Sequence, residues 1–136
     1  MNLALKEARK SLDKNEVPIG SIIVHKNKVI SVGHNSPISQ LDPTAHAEIN
    51  AIRNAAKKIE NYRMPDMTIF TTLEPCYMCF GAISHARISR IVFGAYNKKI
   101  KSKSLYFLNK NIQITGGILE KDCSKILLDF FKEKRL

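Results

Sequence analysis

Two short segments, set about thirty residues apart, constrain this chain more than anything else in it. The first is His46-Ala47-Glu48; the second is Pro75-Cys76-Tyr77-Met78-Cys79. His46, Cys76 and Cys79 together offer one imidazole and two thiolates. Three protein ligands with a fourth position left for water is the coordination of a catalytic zinc, not a structural one. If His46 and Glu48 both start a helix that enters the site, Glu48 lies beside the zinc-activated water without ligating the metal. That is the placement a proton shuttle requires.

The cysteine count supports metal chemistry. Three cysteines are an odd number, and a C-x-x-C pair in a reducing cytosol reads as metal or redox chemistry more readily than as a disulfide framework. A thioredoxin-like dithiol should follow a first βαβ strand and leaves the upstream His46 and Glu48 unexplained. The full pattern, H-x-E followed by P-C-x-x-C, is a known signature of zinc-dependent nucleobase deaminases.

With 136 residues, 44% of them hydrophobic, the chain suffices for one packed core, and residues 1–136 are expected to form a single domain. No run approaches the roughly 18 apolar residues of a membrane span. Lys6, Glu7, Arg9, Lys10 and Asp13 interrupt any signal-peptide core, so a soluble, cytoplasmic protein without membrane association is expected. The net charge of +10 favours a polyanionic partner such as nucleic acid, although a lysine-rich composition can simply reflect a biased genome. The excess is uneven: residues 96–136 hold ten Lys/Arg against four Asp/Glu, and residues 1–95 hold twelve against eight.

Periodicity supplies the elements. Leu3, Ala4, Leu5, Ala8 and Leu12 predict an amphipathic helix over 2–14. Ile19 to Val24 and Val29 to Val32 read as a hairpin, with Lys26-Asn27-Lys28 between the strands and Asn27 in the turn. Ser36 to Thr44, with Pro37 and Pro43, should be an irregular loop. Asp42 or Thr44 can cap the helix that follows, Ala45 to Ala56, which puts His46 in its first turn. The positive end of the dipole there favours the neutral imidazole that zinc needs. Ile49, Ile52, Ala56 and Ile59 form its buried stripe.

Met67 to Leu73 reads as a central strand leading to a helix with Pro75 in its first turn and Cys76 and Cys79 on one face. Arg90 to Ala95 is the next strand, and strand–helix–strand implies a parallel pair. Residues 96–111 form a basic loop, Ile112 to Thr115 a short strand, and Leu119, Cys123, Ile126, Leu127 and Phe130 the buried face of a last helix ending near Lys134.

Taken together, Glu16-Val17-Pro18-Ile19-Gly20, Asn35, Asp42 to Glu48, Thr72-Leu73-Glu74-Pro75-Cys76 with Met78-Cys79, Arg90 to Ala95 and Leu128-Asp129-Phe130-Phe131 resemble the bacterial tRNA-specific adenosine deaminases, within the cytidine/deoxycytidylate deaminase superfamily. The resemblance spans nearly the whole chain. It implies a three-layer α/β/α fold with a mixed five-stranded sheet, a homodimer, one Zn2+ per subunit held by His46, Cys76 and Cys79, and conversion of the wobble adenosine of a tRNA anticodon loop to inosine with Glu48 as the catalytic proton shuttle. By the same resemblance Asn35 hydrogen-bonds the base and its ribose region, and the backbone amide of Ala47 meets the purine edge. Glu74 is either a site residue or a structural carboxylate near the helix start.

The chain departs from the family where an Asp, a Lys and a glycine-containing turn usually touch the RNA. It has Asn97-Lys98-Lys99-Ile100 instead, and Asn97, Lys98, Lys99, Lys101 and Lys103 are candidate RNA contacts, the lysines through phosphates. A solvated loop is the plainer reading of those lysines. Asn35 could be a turn residue, Cys123 packs, Phe130 and Phe131 are mainly core, and His25, His34 and His85 show no partner pattern. The rival functions are deamination of a free nucleobase or nucleotide (guanine, cytosine or dCMP) and a non-catalytic RNA-binding partner, which the intact Glu48 disfavours. The close cysteine spacing disfavours a riboflavin-pathway deaminase.

Overall fold

The computed structural model describes residues 1–100 and 109–135. Helix α1 (Asn2–Asp13) turns Ala4, Leu5, Ala8 and Ser11 inward, and Asn15, at φ 59°, breaks the run in the left-handed region that asparagine tolerates. Strands β1 (Gly20–His25) and β2 (Lys28–His34) pair antiparallel, with His25 opposite Lys28. Lys28 therefore belongs to the strand, not the turn. Lys26 and Asn27 alone connect the strands, both at positive φ as a two-residue type I′ turn requires.

Among the described residues, β3 (Met67–Leu73), β4 (Arg90–Ala95) and β5 (Gln113–Thr115) complete one sheet in the order β2-β1-β3-β4-β5. β3 runs antiparallel to β1 and parallel to β4, and β4 runs parallel to β5, so the sheet is mixed and β3 is central, as expected.

Helices cover both faces. On one side lie α3 (Ala47–Ile59) and α4 (Tyr77–His85), where Ala51, Ala55, Phe80 and Ile83 pack with Ile23, Ile69, Ile91 and Phe93. On the other lie α1 and α5 (Glu120–Lys134), where Leu5 and Cys123 meet Ala95. Each fully buried Ile or Phe contributes about 1.5–3 kcal/mol relative to an exposed one. Two glycines set the layer spacing. A Cβ on Gly20 would lie 1.9 Å from the Ala4 carbonyl oxygen of α1, and one on Gly33 would lie 2.4 Å from the Ala47 oxygen and 2.5 Å from the Ala51 nitrogen of α3.

Three expectations change. Residues 36–44 are not wholly irregular: Pro37–Gln40 form a short helix, α2, started by Pro37 and ended by Leu41 in the left-handed conformation. The reason is Glu16, a buried carboxylate that accepts hydrogen bonds from the Ile38 amide (2.6 Å) and the Ser39 hydroxyl (2.7 Å). Phe131 is exposed at 44% and is not core, whereas Phe130 is buried; Leu119 is also exposed because it precedes α5 in a left-handed conformation. Cys123 is fully buried packing, as expected. In the basic loop, Lys98 and Lys99 are exposed, while Lys101 and Lys103 lie outside the described residues. No helix among the described residues is long and apolar enough to cross a membrane.

Candidate metal and catalytic centre

Both signature segments end up at helix N-termini. His46 (φ −70°, ψ 158°) is the N-cap residue of α3 and Cys76 (φ −70°, ψ 175°) the N-cap of α4. His46 thus stands one step before the first turn rather than in it, and Pro75 precedes the cap instead of occupying the first turn. Neither Asp42 nor Thr44 caps α3: Asp42 accepts from the amide and hydroxyl of Thr44 and pairs with Arg53, closing the turn upstream of His46.

The two helix starts converge. The Sγ atoms of Cys76 and Cys79 lie 3.6 and 3.4 Å from His46 Nδ1, and the three donor atoms all fall within 4.8 Å of one another. These residues form a group able to hold a metal ion. The unpaired N–H groups and positive dipole ends of α3 and α4 favour negative charge there. Hydrogen bonding from Cys79 holds the pKa of the Cys76 thiol down to about 4, with His46 acting in the same sense against burial. Cys79 keeps its proton, raised chiefly by that bond to Cys76 and by burial. The His46 imidazole is raised by its hydrogen bond with Cys76, which outweighs burial.

Glu48, the second residue of α3, is 4% exposed. Burial raises its pKa, opposed by its own backbone amide and by Cys79. A buried carboxyl whose pKa is raised above the ordinary carboxylate value, beside the three donors but apart from them, is equipped to exchange protons.

Asn35 is buried at the end of β2. Its Nδ2 donates to the Val17 carbonyl at 3.2 Å, while its Oδ1 is buried without a hydrogen-bond partner. The amide of the next residue, Ser36, donates to the Ala45 carbonyl at 2.9 Å, tying the Asn35 segment to the residue before His46. Ala47 is fully buried at the first position of α3, where its N–H has no partner within the helix. A cavity of about 340 Å³ adjoins Asn35, lined also by Val17, Pro37, Ile38, Phe130 and Phe131, the last two from the end of α5.

Glu74 behaves as a structural carboxylate: buried, it accepts from the Asn97 amide at 3.0 Å. Asn97 in turn accepts from the Lys99 amide at 3.1 Å, shaping the start of the basic loop. His34 does have a partner, with Nδ1 at 3.7 Å from a Glu7 oxygen. Glu16 and Asn50 received no role from the sequence. For Glu16 there was no local cue, since its bonds cross to residues 38 and 39; for Asn50 the cue was its spacing, four residues after His46 and so on the same helix face.

The MafB19-like deaminase family model matches residues 1–135. A tRNA-specific adenosine deaminase of Buchnera aphidicola subsp. Baizongia pistaciae is 49% identical over 99% of this chain and 88% of its own length. One from Haemophilus influenzae is 45% identical over 99% of this chain and 83% of its own length. A solved structure from work on A-to-I editing by tRNA:A34 deaminases at the wobble position of transfer RNA superposes with a TM-score of 0.87 at 37% identity, covering 93% of this chain and 97% of that one.

Proposed function

This chain belongs to the tRNA-specific adenosine deaminase family, and from that membership and the centre at His46, Cys76 and Cys79 we propose that it hydrolyses adenosine to inosine at the wobble position of a tRNA anticodon. The observation that carries the reading is the geometry of the three donors with Glu48 buried beside them. Around a tetrahedral zinc, with Zn–N near 2.0 Å and Zn–S near 2.3 Å, nitrogen and sulfur stand about 3.5 Å apart. The separations here are 3.6 and 3.4 Å, so His46, Cys76 and Cys79 fit one Zn2+ per chain and leave the fourth position open.

Bound there, zinc supplies a Lewis acid that makes water nucleophilic near neutral pH. Glu48 accepts the proton of the attacking water, passes it to the ring nitrogen beside the attacked carbon, and then helps protonate the departing amino group. Water enters and ammonia leaves. Asn35 offers its unpartnered Oδ1 to a donor on the base or its ribose, and the Ala47 N–H meets the purine edge. Both hold the extruded nucleotide while the proton moves.

The exposed Lys98 and Lys99, with Asn97, Lys101 and Lys103, serve as RNA contacts, the lysines at phosphates. Residues 1–136 act as one cytoplasmic deaminase domain, with no membrane partner, and work as a homodimer. Tyr77 and Met78, exposed at 54% and 38% between the two cysteine ligands, supply apolar surface that a second copy can cover.

The deciding comparison uses zinc-loaded protein with an anticodon stem-loop carrying a wobble adenosine, and separately with guanine, cytosine and dCMP. Inosine should form in the stem-loop and the free compounds should persist. Efficient turnover of a free base with an untouched stem-loop would replace this reading with a nucleobase deaminase.

A further inference from the structure

We propose that Asn50 is a positioning residue that sets Asn35, and through it the bound base, relative to the metal centre; this rests on the deaminase reading above. Asn50 occupies the fourth position of α3, and its amide closes the first helical bond onto the His46 carbonyl at 3.0 Å. Its side chain reaches across to the segment that carries Asn35. Nδ2 donates to the His34 carbonyl at 2.8 Å and to Ser36 Oγ at 2.9 Å, with the Ala45 carbonyl at 3.4 Å. Its Oδ1 accepts from Gln40 Nε2 at 3.3 Å, and the same Gln40 amide also donates to Ser36 Oγ.

The two residues that Asn50 grips are the neighbours of Asn35 on either side. The His34 carbonyl belongs to the same peptide plane as the Asn35 N–H, which itself donates to the Ile19 carbonyl at 2.9 Å. That plane is therefore fixed at both ends, at its N–H by the carbonyl of Ile19, the residue before β1, and at its oxygen by Asn50 of α3. Ser36 is pinned twice, by Asn50 through its hydroxyl and by Ala45 through its amide. The Ala45 carbonyl precedes His46, so one carboxamide ties the base-holding asparagine to the metal ligand's own helix start. No aliphatic side chain could make these bonds, and without them the buried Ser36 hydroxyl would lose a donor. Displacements of about 1 Å at such a contact are enough to cost on the order of a hundredfold in rate.

The test is a double-mutant cycle on the zinc-loaded chain with the stem-loop substrate. Asn50→Asp keeps the shape and removes the donors; Asn50→Ala removes them without adding a charge, should the aspartate variant not fold. kcat/KM is expected to fall about tenfold to a hundredfold in the otherwise native chain, yet by less than about twofold when Asn35 is already alanine. Zinc content should stay at one per chain, and Asn50→Gln should recover part of the loss. An equal fold-loss in both backgrounds, or none in either, would overturn the inference. A second readout needs no turnover: the side-chain amide signals of Asn35 in a ¹H–¹⁵N spectrum. In Asn50→Asp or Asn50→Ala they should shift and broaden, and unchanged signals would overturn the inference even if the chain proved inactive on the stem-loop, a result that would itself count only against the proposed substrate.

Discussion

At the scale of single residues, the proposed chemistry divides between groups that move protons and groups that hold position. Glu48 is a buried carboxyl close enough to Cys79, Cys76 and His46, which could hold a metal ion, that all three shift its pKa. Glu48→Ala should abolish inosine release, a loss of at least about 10²–10⁴-fold from proton transfer alone, while elemental analysis still finds zinc. Asp42 makes a different, pH-dependent contribution. Hydrogen bonds from the Thr44 hydroxyl and amide, then Arg53, lower its pKa to about 2. Its folded pKa lies below the unfolded value of about 3.9, so the stability it adds is fully present above that value and is lost as pH falls toward 2. Denaturant titrations of the native chain and Asp42→Asn should therefore differ at pH 6 and converge near pH 2. Side chains with a chemical partner set in sequence, His46, Glu48, Cys76 and Cys79, were legible in advance. Glu16 was not, because what it bonds to lies across the fold; for Asn50 the spacing from His46 marks the helix face, while its partners at residues 34 and 36 come near only in the folded chain.

Among the elements, α3 and α4 matter most, since each presents a candidate ligand from the residue just before its first turn, and α4 adds Cys79 from within that turn. The tolerance at α3 is small: a methyl on Gly33 would press on the backbone at Ala47 and Ala51. Gly33→Ala should cost about 1–3 kcal/mol by thermal or chemical unfolding, and it should weaken zinc retention because the displaced turn carries His46 and Glu48. Periodicity placed β3, β4, α1 and α5 to within a residue or two, since their apolar repeats are local. It missed α2, whose four residues hold too little pattern to register and whose N-terminal amides are satisfied by a distant glutamate. Phe131 escaped for a related reason: two adjacent phenylalanines on a helix cannot both face inward, and Phe130 takes the buried side.

At the scale of the whole molecule, the hairpin foretold an antiparallel pair and the strand–helix–strand order a parallel one, and the resemblance to the tRNA deaminases supplied the mixed five-stranded sheet and its layers. Charge acts at this scale too. If Lys98 and Lys99 meet phosphates, replacing both by alanine should reduce the salt dependence of stem-loop affinity, lowering the slope of log K against log salt by about 0.7 per lysine. An unaltered slope would leave the two lysines as solvated surface. X-ray absorption at the zinc edge on the purified chain shows whether the fold gathers one imidazole and two thiolates around an ion with a place to spare. One zinc per chain is expected, with two sulfur neighbours near 2.3 Å and nitrogen or oxygen neighbours near 2.0 Å. A metal-free chain with Cys76 and Cys79 joined as a disulfide, or a zinc shell without sulfur, would contradict it.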